Sequence, residues 1–181
     1  LSKNRLVEKE YNDMAVQKWD SAPEMSIDPQ GQYEAVLLLD TGEVRIQLFA
    51  DVAPFTVNNF VFLARQGFYD GLTFHRVIPG FVAQGGDPTG TGSGGPGYQF
   101  KDELNETDFE QGVIGMANAG PGTNGSQFYL MLDAAPHLTN RYTAFGKITD
   151  GLEHVLAIEA RDPMGATTPG DKMISVTIEE K

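Results

Sequence analysis

Phe74-His75-Arg76-Val77-Ile78-Pro79-Gly80-Phe81-Val82-Ala83-Gln84-Gly85-Gly86-Asp87 is the stretch on which the reading of this chain turns. It places a guanidinium, an aromatic ring and a side-chain amide close together, with Pro79-Gly80 between them. Pro-Gly is turn chemistry, and the flanking residues are predicted to be short strands over 73–77 and 82–86. Neighbouring side chains of a strand point to opposite faces, so His75 and Arg76 do not share one; His75 is read as structural. A second segment answers the first: Gly115-Met116-Ala117-Asn118-Ala119-Gly120-Pro121, running on to Asn124-Gly125-Ser126-Gln127-Phe128-Tyr129.

Outward from these segments the β signal continues. Residues 33–40 and 43–49 flank Asp40-Thr41-Gly42, a short hairpin turn. Val44, Ile46 and Leu48 alternate with Arg45 and Gln47, which buries one face. Further strands are predicted near 112–117, 127–132, 144–148 and 173–179. Pro54 opens a helix that runs to Gln66 and stops at Gly67, with Val57, Phe60, Val61 and Ala64 on its apolar face. Asp150 and Glu153 resemble a capping box for a second helix to Arg161, with Leu152, Val155, Leu156 and Ile158 inward. Many antiparallel strands with only two helices indicate a β-barrel rather than a βαβ sheet.

Residues 1–32 read differently. The polar run 4–19 carries Val7, Tyr11 and Met14 at rough helical spacing, a weakly amphipathic helix at best. Pro23 and Pro29 then break regular structure. The reading is an N-terminal arm, 1–32, lying along a domain of residues 33–181 with Trp19 as its anchor; a disordered tail is the alternative.

Composition limits the function. With Lys+Arg 13 against Asp+Glu 25 the formal net charge is -12, which argues against a phosphate-binding surface and so against nucleic acid as partner. No apolar run is long enough to span a membrane. Zero cysteines exclude disulfides and thiolate catalysis, and the His residues show no metal-ligand spacing, so neither metal nor cofactor is expected. The chain begins at Leu1 and its first residues are polar. From this an exported or membrane-tethered mature domain is expected, with a cytoplasmic protein as the alternative.

The two quoted segments together closely resemble the core of the cyclophilins, the peptidyl-prolyl cis/trans isomerases, and the likeness runs from about Tyr33 to Ile178. The loop Asp87-Pro88-Thr89-Gly90-Thr91-Gly92 with Gly94-Gly95-Pro96-Gly97-Tyr98 looks like the bacterial branch. The resemblance implies a mainly β fold, an eight-stranded antiparallel closed β-barrel capped by two helices. It also implies catalysis of rotation about X-Pro bonds, with proline-containing peptides and unfolded or partly folded proteins as partners, and a monomer.

Residue roles follow from the same resemblance. Arg76 matches the catalytic arginine of the Phe-His-Arg motif; a guanidinium is a permanent donor, suited to the pyramidal nitrogen of a twisted amide. Phe81 and Tyr129 match the floor of the proline slot, with Val82 and Leu138 beside them. Many cyclophilins have Met at the Val82 position and Phe at that of Tyr129. The Tyr129 hydroxyl must therefore find water or a partner at the rim. Gln84 and Gln127 match an amide pair able to bond the substrate carbonyl and orient Arg76. Ala117 and Asn118 match the segment that pairs with substrate backbone. His137 falls where many cyclophilins have a Trp linked to cyclosporin binding, so weak or no cyclosporin binding is expected. Tyr142 falls where they have His.

Other signals have plainer readings. Gly90-Thr91-Gly92-Ser93-Gly94-Gly95 fits Gly-x-Gly-x-x-Gly, but Pro96 and Gly97 follow and no helix opens, so a loop at the active-site rim is the reading. The sequons at Asn105 and Asn124 are assigned no glycan. His154 is read as exposed, and the acidic run 102–110 as solvated surface. A binding module without turnover and a subunit docked through its arm are alternatives to an enzyme. Arg76, Phe81, Gln84, Asn118 and Gln127 favour the enzyme, because a pure binder does not need the arginine.

Overall fold

The computed structural model describes residues 16–181, so most of the helix considered over 4–19 lies outside the described residues. Eight strands form one antiparallel sheet: β1 (Tyr33–Leu39), β2 (Gly42–Leu48), β3 (Arg76–Ile78), β4 (Val82–Gly85), β5 (Val113–Met116), β6 (Phe128–Met131), β7 (Ala144–Asp150) and β8 (Met173–Glu180). Their order is β3-β4-β6-β5-β7-β2-β1-β8. Register shifts at Leu38/Leu39, Arg45/Ile46 and Ile114/Gly115 are bulges, which curl a sheet by adding local twist.

The expected closed barrel is corrected at one seam. β3 and β8 stand at opposite ends of the ladder and do not pair with each other. The seam is crossed by an isolated Thr73–Lys172 bridge and by three bonds: Gly71 N–H to Met173 O at 2.7 Å, Met173 N–H to Leu72 O at 2.8 Å and Phe74 N–H to Asp171 O at 2.9 Å. Residues 73–75, predicted to lie in β3, serve this seam instead. Beyond them Val77 exchanges bonds with Arg161 at 2.8 and 2.9 Å, so the loop before β8 covers the edge of β3.

Helix α1 (Pro54–Arg65) packs against β8 and helix α2 (Leu152–Leu156) against β2. The N-cap residue of α1, Ala53, has no side chain able to cap. Glu103 does it from afar, accepting from Phe55 N–H at 3.2 Å, Thr56 N–H at 2.6 Å and the Thr56 hydroxyl at 2.7 Å. A carboxylate there meets the orphan donors and the positive end of the helix dipole. Glu103 is thus a helix cap, not the solvated acid it was read as.

Helix α2 is shorter than expected. Gly151 at its N-cap has φ 81° and makes no side-chain cap, so the Asp150–Glu153 box does not form. The chain leaves after Ala157 to carry Arg161 to β3, and Leu156 stays 48% exposed rather than inward. His154 is half-buried, not exposed: its ring lies against Gly42 and leaves no room there for a Cβ.

Two apolar clusters result. The barrel interior holds Leu37, Ile46, Phe60, Phe74, Phe128, Leu130 and Phe145, all fully buried. A smaller cluster on the outer side of β4, β6 and β5 holds Val82, Phe109, Val113, Tyr129, Met131 and Leu138. Residues 16–32 lead to β1 without helix or strand, turning at Pro29-Gln30, with Trp19 packed on Phe62 and Phe68 at centroid distances of 5.2 and 5.9 Å. The buried Asn58 of α1 accepts from Ser26 N–H at 2.9 Å and Ile27 N–H at 3.3 Å. None of the helices among the described residues is long and apolar enough to cross a membrane.

Candidate active site

Antiparallel register builds the site as one rung across four strands. Arg76 on β3 faces Gln84 on β4, Gln84 faces Tyr129 on β6, and Tyr129 faces Gly115 on β5. Partners in a rung share a face of the sheet, here the outer one. Gly115 admits the Tyr129 ring across β5, because a Cβ there would stand 2.8 Å from its Cζ and its hydroxyl. The turn Ile78-Pro79-Gly80-Phe81 closes with Phe81 N–H on Ile78 O at 3.0 Å. Gly80, with φ 71°, takes the third position of a type II turn, and Pro79 the second. That turn sets Phe81 beside the rung.

Arg76, Phe81, Val82, Gln84, Ala117, Asn118, Tyr129, Leu138 and Tyr142 line a cleft of about 200 Å³. Its base is apolar, with Val82, Tyr129 and Leu138 buried and Phe109 and Met131 behind them. Tyr142 stands edge-on to Tyr129, the ring centroids 6.1 Å apart and the planes at 81°. Of the candidates, His137 and Gln127 do not line the cleft. His137 is exposed and stacks on Phe81 from outside, centroids 6.1 Å apart at 25°.

Gln127 stands behind the cleft in a one-way relay of hydrogen bonds. Arg76 Nη1 donates to Gln84 Oε1 at 3.1 Å, and Gln84 Nε2 donates to Gln127 Oε1 at 3.1 Å. Gln127 Nε2 then donates to Gly92 O at 2.9 Å and Gly94 O at 3.0 Å. Gln127 spends both N–H donors on the loop, leaving none for a substrate carbonyl, so its geometry is that of a positioning residue. Gln84 in turn fixes one edge of the guanidinium. No carboxylate lies within ion-pair distance of Arg76 among the described residues, so its charge is unneutralised.

The glycine-rich loop that ends this relay is folded around the buried carboxylate of Asp87. It accepts from Thr89 N–H at 2.7 Å, Thr91 N–H at 3.1 Å, Gly92 N–H at 2.6 Å and Gly94 N–H at 3.1 Å. Burial alone would raise the Asp87 pKa, but the bonds from Thr89, Gly94 and Gly92 outweigh it and hold the group below the usual carboxylate range. The N–H groups that a phosphate would need are therefore turned inward.

Asn118 is fixed as a turn. Its Nδ2 donates to Asp102 Oδ1 at 3.1 Å and Asn124 Oδ1 at 3.2 Å, and its Oδ1 accepts from Gly120 N–H at 3.2 Å. Asp102 also accepts from Gly122 N–H at 2.8 Å and Asn124 Nδ2 at 3.1 Å. With the Asn118 side chain so used, what it offers the cleft is backbone. Ala117 N–H is given to Gln127 O at 3.0 Å. From sequence Asp102 was read as solvated acid and Asn124 as a sequon, neither as a holder of this turn; a turn asparagine that needs a holder was the available signal.

Among the described residues, two buried side chains have polar atoms without a protein partner: the Tyr129 hydroxyl, and both ring nitrogens of His75. Tyr129 was expected to carry its hydroxyl to the rim. The hydroxyl instead lies over Gly115 beside Phe109, and burial, with Tyr142 next, pushes the phenol pKa up. Burial likewise lowers the pKa of His75, which keeps it neutral; Arg161 and Arg76 add to this and Asp87 opposes it. Among the described residues no group of His, Asp or Glu side chains could hold a metal ion.

The family model of the cyclophilin type peptidyl-prolyl cis-trans isomerase/CLD matches residues 36–179. The chain belongs to this family. It is 52% identical over 130 residues to peptidyl-prolyl cis-trans isomerase B of Bacillus subtilis, covering 71% of this chain and 91% of that one. It is 46% identical over 145 residues to a peptidyl-prolyl cis-trans isomerase of Synechococcus elongatus, covering 80% and 95%. Among solved structures, a cyclophilin type isomerase of Cryptosporidium parvum superposes with TM-score 0.75 at 32% identity, covering 83% of this chain and 99% of that one. A second structure of the same protein, obtained in the presence of the dipeptide Ala-Pro, gives TM-score 0.73 at 32% identity over 82% and 99%. The candidate cleft of this cyclophilin-type isomerase lies on the outer face of its sheet, not in the barrel interior.

Proposed function

We propose that this peptidyl-prolyl cis-trans isomerase turns X-Pro bonds through Arg76 while the proline ring rests on Phe81, Val82, Tyr129 and Leu138. The uncatalysed barrier of roughly 18–20 kcal/mol comes from amide resonance. Once the amide twists, its nitrogen becomes pyramidal and gains a lone pair that can accept a hydrogen bond. A donor aimed at that lone pair stabilises the transition state and not the planar ground state, which is what catalysis requires. The observation that carries the reading is Arg76 itself, held on one edge by Gln84 at the wall of an apolar cleft, its charge unpaired. An extended substrate lies along the backbone of Ala117–Asn118, and the Tyr142 hydroxyl donates to its carbonyl.

The substrates are exposed X-Pro segments of unfolded or partly folded chains, since the cleft takes one ring and a stretch of extended backbone, and the enzyme works as a monomer on one chain's residues. Slow prolyl isomerisation limits folding, so folding assistance follows. The test is a protease-free isomerisation assay with a short X-Pro peptide. Arg76→Ala should lower kcat/KM by about a hundredfold or more while peptide affinity persists; equal turnover in the variant would overturn the role of the arginine. Turnover absent in the wild type, with peptide still bound, would mean a binding module. Cyclosporin should bind weakly, because His137 offers a small exposed ring beside Phe81. A nanomolar dissociation constant would refute that.

A further inference from the structure

A larger groove of about 800 Å³ continues from the proline cleft and shares Gln84, Ala117 and Asn118 with it. Its far wall is the loop 92–99, and its lip is the N-terminal segment. Trp19 N–H donates to Pro96 O at 2.9 Å, and Gly97 lies against the Trp19 carbonyl and the Lys18 Cβ, which an added Cβ would meet at 2.6 and 3.2 Å. Trp19, seated on Phe62 and Phe68, thereby fixes where Lys18 stands. Among the described residues, Lys18 is the one charged side chain that lines this groove. Two acids behind the groove are occupied: Asp87 by the loop's own N–H groups and Asp102 by Asn118, Asn124 and Gly122; Asp20, exposed two residues along the chain from Lys18, does not line the groove. The rest of the wall is uncharged: glycines, small residues, side-chain amides, Pro96 and Tyr98.

We propose that Lys18 is a specificity-determining residue that makes the N-terminal segment part of the substrate site, favouring X-Pro segments with a carboxylate on the flank that crosses Ala117–Asn118. This rests on the isomerase reading above. An extended peptide advances about 3.3 Å per residue, so a proline in the small cleft puts residues two to four positions away into the groove. In a protein of net charge -12, a groove whose one charged lining residue, among the described residues, is a lysine is a local exception to a field that repels acidic chains. Lys18 lies in solvent, so its effect is modest and salt-sensitive.

The experiment compares X-Pro peptides carrying Glu or Gln at each of the flanking positions. It records kcat/KM in the protease-free assay and, separately, dissociation constants by fluorescence anisotropy of labelled peptide. Wild type should favour Glu over Gln by about two- to fivefold at one or two positions on one flank, the preference fading with added salt. Lys18→Gln should abolish the ratio and Lys18→Glu should invert it. Identical ratios in wild type and both variants at every position would overturn the proposal. Turnover of the Gln peptides reads the isomerase itself, whereas the affinity ratio reads Lys18 even if turnover fails.

Discussion

Phe128 and Leu130 of β6 point into the barrel, while Tyr129 and Met131 point out, and every one of them is buried. The inner rung Val77, Ala83, Leu130, Ile114 is wholly apolar and belongs to the buried interior cluster. The outer rung Arg76, Gln84, Tyr129, Gly115 belongs to the same strands, one residue out of phase. It carries a bare guanidinium, an amide and a phenol. The inner face supplies cohesion, and the outer face uses that rigidity to hold groups in arrangements that add little stability. A site of this kind needs strands buried on both sides, because an outer cluster must exclude water beneath the proline cleft.

The sharpest way to break the comparison is to remove one ring from each face. Phe128 contacts the rings of Phe60 and Tyr69 at centroid distances of 5.5 and 5.4 Å and is fully buried. Phe128→Ala should cost about 3–5 kcal/mol, a large share of a typical domain's stability. Phe81, half-exposed at the rim, should lose little stability as Phe81→Ala but much kcat/KM, chiefly through KM. Urea midpoints beside peptide kinetics separate the two; a comparable midpoint shift in both variants would mean the faces are not divided as described.

How much of this was readable beforehand follows from the same division. The β1–β2 hairpin and α1 announce themselves through local rules: alternation in 44–48, Pro54 at a helix start and Gly67 at its end. Arg76, Phe81 and Gln84 were legible because a motif carried them. β6 was legible as a strand but not by face, since Phe128-Tyr129-Leu130-Met131 has no polar alternation. What stayed hidden depends on partners remote in sequence. Glu103 caps a helix 47 residues away, and Asp102 fixes the Asn118 turn. Arg161, which a helical pattern claimed, is taken by the edge of β3. Gln127 was matched to an amide pair able to bond substrate and orient Arg76; its donors are consumed by the loop carbonyls while its Oε1 holds Gln84, a division of labour that no spacing encodes.

A smaller effect is expected at His75, which adjoins Arg76 and is buried beside Gly92 of the glycine-rich loop. Its folded pKa lies below the unfolded value of about 6.5 because burial disfavours the cation. The unfolded chain therefore binds the proton first. The stability that neutral His75 confers is intact above pH 6.5 and falls as pH drops below it toward the folded value. His75→Phe should flatten the urea midpoint between pH 7 and pH 5 relative to wild type, His137 and His154 being common to both. Parallel profiles would show that a bound water or Asp87 already accommodates the charge.

The smallest effect tests the outer face at its most buried point. The Tyr129 hydroxyl has no protein partner among the described residues and lies between Gly115 and Phe109. A buried hydroxyl without a bond carries an uncompensated desolvation cost, on the order of 1–3 kcal/mol. Tyr129→Phe removes the hydroxyl and leaves the ring on β5, so the variant should gain about 1 kcal/mol in urea denaturation. A loss of similar size would mean that the hydroxyl holds an ordered water under the cleft. In that case the outer face is a hydrated polar network and not an apolar floor with one stranded atom, and the contrast with the inner face becomes sharper still.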